Sequence, residues 1–281
     1  MKRARLEHGD CVPLMAATAA ESASLVILDP PYGISVGGVK WDRVENYMPW
    51  ARKWLRESTR VLRKGGALLL YGSPEKNWVS RMSIVLEDEL GMKLVQHLTW
   101  AYTQARMLVS GATSSSDPAR HAQGGDSRLS GMVRYGVRTE QLAWFEKPGG
   151  PRTFNPAEIT EKYTPEEKRV ALAKGVGRVT EEALDRGKPP TTFVSVPREN
   201  SRSKERAYGK HPSMKPLALC ERLIKAHSDP GDLVVVPFAG SGSELLTAAK
   251  LGREAIGFEK EAGYVELMRK RAKGHSVQLD P

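Results

Sequence analysis

Leu25-Val26-Ile27-Leu28-Asp29-Pro30-Pro31-Tyr32 decides how the rest of the chain is read. The four aliphatic residues make an unbroken apolar run, the pattern of a strand buried on both faces. Proline lacks an N–H and has a fixed φ, so Pro30-Pro31 ends the strand in a stiff, extended turn. A carboxylate, a bare carbonyl and a ring then stand at fixed separations at the mouth of a sheet. That set suits a flat heterocycle with an exocyclic amine. The two N–H bonds meet the Asp29 carboxylate and the Pro30 carbonyl, and the ring stacks on Tyr32. A plain strand end, with an N-capping Asp and a rigid turn, fits the same residues.

Beyond this stretch, strand and helix alternate. Tyr47, Trp50, Ala51, Trp54, Leu55, Thr59 and Leu62 recur at helical spacing, and Gly65-Gly66 is read as the end of that helix. A strand at 67–71, a helix at 77–90 and strands at 93–101 and 141–146 follow. Later come a helix at 216–227, a strand at 233–236, a helix at 243–251, a strand at 255–258 and a helix at 261–272. Repeated βα units imply an α/β fold: a doubly wound, mainly parallel sheet covered on both faces. Residues 103–138 interrupt the pattern as a loop rich in Gly and Ser. After Gly149-Gly150-Pro151 the chain turns polar and charged as far as Lys210. Residues 1–150 and 211–281 are thus read as two halves of one domain, with 151–210 as an inserted recognition region.

The 281 residues carry a net charge of +10, the footprint expected of a nucleic-acid partner. An indifferent basic surface has the same balance. Cys11 and Cys220 are the only cysteines, which argues against a disulfide framework or a zinc cluster and fits a reducing cytoplasm. The six histidines show no paired ligand spacing, so no metal is expected. No apolar run reaches the length of a membrane span, and Met1–Arg5 lacks the apolar stretch of a signal peptide.

A second constellation is Pro237-Phe238-Ala239-Gly240-Ser241-Gly242-Ser243, between a strand and a helix. Glycines there let backbone approach a ligand and leave helix N–H groups free. Glu259 lies seventeen positions past Gly242 at the end of the next strand. That is near the ~20-residue offset of an acid that binds ribose hydroxyls. Leu245 stands where a dinucleotide fingerprint has its third glycine, so a mononucleoside ligand such as S-adenosylmethionine suits better. A tight βα turn with a capping acid is the alternative reading.

Together the two constellations resemble the S-adenosylmethionine-dependent DNA amino-methyltransferases, over nearly the whole chain. DPPY first, a recognition region next and FxGxG late resembles the beta class of that family. His8-Gly9-Asp10-Cys11, Gly33, Trp41-Asp42, Lys64-Gly65-Gly66, the stretch 140–147 and His211-Pro212-Ser213-Met214-Lys215-Pro216 resemble further family segments. The resemblance implies a circularly permuted, Rossmann-like methyltransferase fold. It implies that Asp29, Pro30, Pro31 and Tyr32 hold the target base. It places Phe238, Ala239, Gly240, Ser241, Gly242 and Ser243 in the cofactor turn and Glu259 at the ribose hydroxyls, with Lys260 as a further cofactor-binding residue. Asp10 and Cys11 would bracket the cofactor adenine, and Ser213, Lys215 and Asp29 would lie near its amino-acid end. The family often has an acid just before Pro-Phe, where this chain has Val236.

Asp at the first motif position resembles the adenine-N6 enzymes, whereas the cytosine-N4 enzymes tend to have Ser. Adenine N6 of a flipped-out base in double-stranded DNA is therefore the expected target, with cytosine N4 as the alternative. Arg106, Arg134, Arg198, Arg202, Lys204, Arg206 and Lys210 are the candidate DNA contacts, or equally a solvated basic face. A homodimer is an expectation of the family alone. A non-catalytic DNA-binding protein on the same fold is the main non-enzyme rival, and it would be expected to lose Asp29 or Tyr32. RNA is an open substrate alternative, and a nucleotide-dependent oxidoreductase gives DPPY no role.

Overall fold

The computed structural model describes residues 2–34, 38, 40–42, 44–102, 137–174, 179–199 and 203–280. Its frame is one nine-stranded sheet, built from β1 (Lys2–His8), β2 (Ala23–Leu28), β3 (Leu62–Gly72), β4 (Lys93–Ala101), β5 (Thr139–Glu146), β6 (Phe193–Ser195), β7 (Leu233–Val236), β8 (Glu254–Glu259) and β9 (Val277–Asp280). The strand order is β6-β4-β5-β3-β2-β7-β8-β1-β9. The doubly wound α/β reading holds, with a mixed sheet: β5 runs antiparallel to β3 and β4, and the other pairs are parallel.

Strand β2 shows why the sheet is covered twice. Its side chains alternate faces, and all six of its residues are buried. Leu25 and Ile27 join a core with Leu219, Leu223, Leu245, Leu246 and Met268. These come from α6 (Leu217–His227), α7 (Ser243–Lys250) and α8 (Ala262–Gly274). Val26 and Leu28 join the opposite core with Met15, Trp54, Leu55 and Met82. These come from α1 (Cys11–Met15), α2 (Tyr47–Val61) and α3 (Trp78–Ile84).

Two boundaries differ from the sequence reading. Gly65-Gly66 does not end a helix: α2 stops at Val61, and both glycines lie inside β3. The reason is a close approach of backbones. Gly65 has φ +75°, its N–H donates to the Lys147 carbonyl at 2.7 Å, and a Cβ there would stand 2.0 Å from the Pro151 carbonyl oxygen. The helix expected at 77–90 is α-helical only to Ile84 and finishes as a wider π turn, Val85–Glu89.

The described part of 151–210 carries α4 (Pro165–Lys174) and α5 (Glu181–Asp185), and its strand β6 forms the sheet edge parallel to β4. Among the described residues no helix is long and apolar enough to cross a membrane.

Candidate active site

Both motifs reach the same edge of the sheet because their strands are parallel neighbours. Val26 pairs with Val235, so the turns after β2 and β7 leave side by side. From there β2 connects towards β3 on one side and β7 towards β8 on the other, which opens a crevice at a topological switch point. Glu259 ends β8 beside His8, which brings Gly9-Asp10-Cys11 to this edge as well. Antiparallel β5 starts here, with Gly72 opposite Gln141, so Glu140 enters from the far side. These segments wall a cavity of about 680 Å³, a volume suited to a small-molecule ligand.

The turn after β2 is held by several independent bonds. The Asp42 carboxylate accepts the Gly33 and Ile34 N–H groups, both at 3.0 Å. Tyr47 Oη donates to the Pro31 carbonyl at 2.7 Å, and Trp78 Nε1 donates to the Tyr32 carbonyl at 3.1 Å. The Pro30 carbonyl accepts no hydrogen bond among the described residues. Asp29, Pro30, Pro31 and Tyr32 all line the cavity. Tyr32 is buried, and its hydroxyl lies 2.6 Å from Asp29 Oδ1 and 3.0 Å from Glu140 Oε2.

Lys215 lines the cavity against this turn. It is 2% exposed, and its Nζ is 2.8 Å from Asp29, 3.2 Å from Glu140 and 3.3 Å from the Tyr32 hydroxyl. The rings of Tyr71 and Tyr32 lie 4.8 Å and 5.5 Å from it. Burial disfavours the ammonium, but Asp29 and Glu140 outweigh that and hold Lys215 protonated. Burial pushes the Asp29 carboxyl up, Lys215 pulls it down, and Glu140 pushes it up again. Glu140 also accepts from Tyr102 Oη at 3.0 Å.

The second turn rests on Glu259 and Arg271. Glu259 Oε2 accepts the Gly240 N–H and Oε1 accepts the Glu261 N–H, each at 2.7 Å. Burial raises the Glu259 carboxyl, and these N–H groups oppose that. Fully buried Arg271 donates to the Ser241 carbonyl, to Ser243 Oγ at 3.2 Å and to Glu205 at 2.6 Å. Gly242 has φ +80°, and a Cβ there would meet Met268 Cγ at 2.6 Å. Gly242 and Ser243 therefore shape the turn from behind, while Phe238, Ala239, Gly240 and Ser241 face the cavity.

Asp10, Cys11, Ser213 and Lys260 line the cavity too. Asp10 caps α1 by accepting the Val12 N–H at 2.9 Å, and burial pushes the Cys11 thiol up to about 12. His211 packs against Trp41 and Tyr264, and burial with Lys215 lowers it to about 3, so its ring is neutral.

The candidate DNA contacts divide. Arg106, Arg134 and Arg202 lie outside the described residues. Arg198 is exposed at the cavity rim with its guanidinium 4.6 Å from the Tyr102 ring centre, and Lys204 and Lys210 are exposed. Arg206 is spent internally, donating to the carbonyls of His211 and Glu199 at 2.6 Å and 3.3 Å.

Sequence reasoning missed Glu140, Glu244 and Tyr102 as cavity residues. Glu140 is 108 residues from Tyr32, and an acid at a strand start gives no local sign of such a partner. An acid near the front of a helix, as at Glu244, reads as ordinary dipole compensation.

A family model described as DNA methylase, for the N6/N4 class, matches residues 23–270. The DNA adenine methyltransferase YhdJ of Escherichia coli K12 is 26% identical over 267 residues, which are 94% of this chain and 81% of the relative. The solved PvuII DNA methyltransferase, cytosine-N4-specific, superposes with a TM-score of 0.66 at 20% identity, covering 96% of this chain and 86% of its own. The M1.HpyAVI structure in complex with S-adenosylmethionine superposes with a TM-score of 0.59 at 19% identity, covering 95% and 98%.

Proposed function

The chain belongs to the N6/N4 DNA methylase family, and from that premise we propose that it methylates adenine N6 in double-stranded DNA with S-adenosylmethionine as donor. One observation carries the reading. The Asp29–Tyr32 turn and the Phe238–Ser241 turn leave neighbouring parallel strands and wall a single cavity. Asp29 at the head of the DPPY turn and the E. coli adenine methyltransferase among the relatives support adenine.

The residues present fit such a donor. Glu259 offers a carboxylate at a strand end for ribose hydroxyls, and Phe238 lines the cavity with it. Asp10 and Cys11 line the same cavity and would bracket the adenine. When bound, S-adenosylmethionine supplies an electrophilic methyl group on a sulfonium.

The protein's own part is to make a poor nucleophile attack. The lone pair of an aromatic amine is shared with its ring. The Asp29 carboxylate and the Pro30 carbonyl, unpaired among the described residues, would accept the two N–H bonds, which localises the lone pair and fixes its direction. Orientation of this kind is worth several powers of ten, and negative charge placed where the amine turns positive adds to it. Methyl transfer would exchange the donor's S–C bond for the new N–C bond, leaving a neutral thioether, and the amine would give up one N–H proton, for which Asp29 would be the acceptor. A base paired in a duplex cannot reach this edge and must flip out.

Cytosine N4 is the second reading, favoured by the fold likeness to the PvuII enzyme. Tritiated methyl incorporation into duplex DNA, compared with RNA, tests the substrate. Digestion to nucleosides with mass spectrometry then tests the base. N6-methyladenine is expected. N4-methylcytosine would replace the adenine reading, and label only in RNA would overturn DNA as substrate. No incorporation into either would favour a DNA-binding role without catalysis.

A further inference from the structure

Glu244 is the second residue of α7 and one wall of the cavity, yet it is 4% exposed and its Oε1 has no hydrogen-bond partner among the described residues. A buried carboxylate oxygen without a partner costs stability, so such an atom calls for an explanation. The nearby cations do not supply one. Lys215 is committed to Asp29, Glu140 and the Tyr32 hydroxyl, and Arg271 to Glu205 and the serine turn. Asp29, Glu140 and Glu244 are three of the carboxylates that line the cavity, and all three act on Lys215, the one buried lysine among its described lining residues. The adjoining end of β7, Val236, is buried and apolar, so the strand supplies no charge of its own.

We propose that Glu244 is the acceptor for the α-ammonium of the methyl donor's amino-acid end, the cation that completes this wall. The assignment rests on S-adenosylmethionine being the ligand. Five groups on other elements face Glu244. Asp29 follows β2, Lys215 precedes α6, Cys220 lies on α6, Arg271 on α8 and Tyr71 on β3. Burial raises the Glu244 carboxyl to about 7, with Asp29 pushing the same way and Lys215, its own N–H and Arg271 opposing. Cys220 and Tyr71 are pushed up by burial and stay neutral. Near neutral pH Glu244 is therefore poised to change charge. An arriving ammonium favours its ionised form, so binding releases a proton and tightens as pH rises through that value.

The test is calorimetric titration of the full-length chain at pH 6 and pH 8, in buffers of different ionisation enthalpy. The ligands are S-adenosylmethionine, S-adenosylhomocysteine and a deaminated S-adenosylhomocysteine in which hydrogen replaces the α-ammonium. Both amino ligands should bind roughly tenfold more weakly at pH 6 than at pH 8 and release close to one proton at pH 6, as linkage requires. The deaminated ligand should release none, which holds even if no variant folds. Glu244→Gln should bind the amino ligands about tenfold more weakly at pH 8, the scale of one lost charged hydrogen bond, with no pH dependence. Parent-like affinity and proton release in Glu244→Gln would overturn the assignment while leaving the cofactor reading intact. Equal proton release with the deaminated ligand would overturn it too. Failure of the parent to bind S-adenosylmethionine at all would overturn the cofactor reading, and this assignment with it.

Discussion

Lys215 donates to Asp29 across 2.8 Å although 186 residues separate them. The contact ties the segment after the polar region to the turn after β2, so the acid that would meet the target amine is positioned from the other half of the domain. With Glu140 it forms a buried cluster in which one ammonium faces two carboxylates. Removing one partner of a buried pair typically costs roughly 3–5 kcal/mol. Lys215→Met should therefore lose stability on that scale in urea denaturation. Lys215→Arg, which restores the charge in a larger head group, should recover part of it. A Lys215→Met variant as stable as the parent would mean the cluster does not hold the turn.

Asp29→Asn keeps the shape of the turn but turns one acceptor oxygen into a donor and removes the charge. Loss of one such preorganised group costs roughly 10²–10³ in turnover. Tritium incorporation into duplex DNA should fall by that factor, while S-adenosylmethionine affinity by calorimetry stays within a few-fold. Near-parental turnover would remove Asp29 from the chemistry.

The parts of this molecule that could be read from sequence are those written in consecutive residues. Leu25–Leu28 and Leu233–Val236 announce buried strands by composition, and the Pro-Pro and Gly-x-Gly turns announce where they stop. Contacts across the fold leave no such mark. Glu140 meets Tyr32 only because β5 runs antiparallel beside β3, a pairing fixed by the tertiary fold. Gly65-Gly66 looks like a helix stop, since the approach of Pro151 that requires glycine comes from 86 positions later. Strand β1 alternates Ala4 and Leu6 with charged residues, so it reads as surface chain until β8 and β9 flank it.

Glu205 links the polar region to the turn after β7, because it holds the Arg271 guanidinium that in turn holds Ser241 and Ser243. Glu205→Gln removes the charge and loosens that clamp. The loss of a hydrogen bond to a charged group is worth about 1.5–3 kcal/mol, so calorimetry should show S-adenosylmethionine binding weakened by about tenfold or more. DNA affinity in a cofactor-free binding assay should not change. Unaltered cofactor affinity would show that Arg271 holds the turn without Glu205.

Lys204 and Lys210 are exposed, whereas Arg206 is occupied. If the two lysines meet phosphates, alanine at either should lower the slope of log affinity against log salt by about 0.9 for duplex DNA. Arg206→Ala should instead lower thermal stability. A slope unchanged in both lysine variants would move the DNA contact elsewhere.

His227 provides a test of pH dependence that needs no substrate. It is buried at the end of α6 with its ring centre 4.5 Å from that of Trp144, and its Nδ1 has no hydrogen-bond partner among the described residues. Burial lowers its pKa from 6.5 to about 3. Below pH 6.5 the unfolded chain takes up a proton that the folded chain refuses. Stability is therefore lost as pH falls from 6.5 towards 3, by about 1.4 kcal/mol per pH unit. Glu244 runs the other way. Its raised carboxyl gives stability below its ordinary value, 4.5, that is lost as pH rises through about 7, so the parent's overall slope mixes both signs. His227→Phe keeps a flat ring against Trp144 and removes only the histidine's share. The stability of the variant relative to the parent should therefore rise by about 2 kcal/mol between pH 7 and pH 5, read from urea midpoints. A difference that does not change with pH would mean that His227 accepts its proton inside the fold.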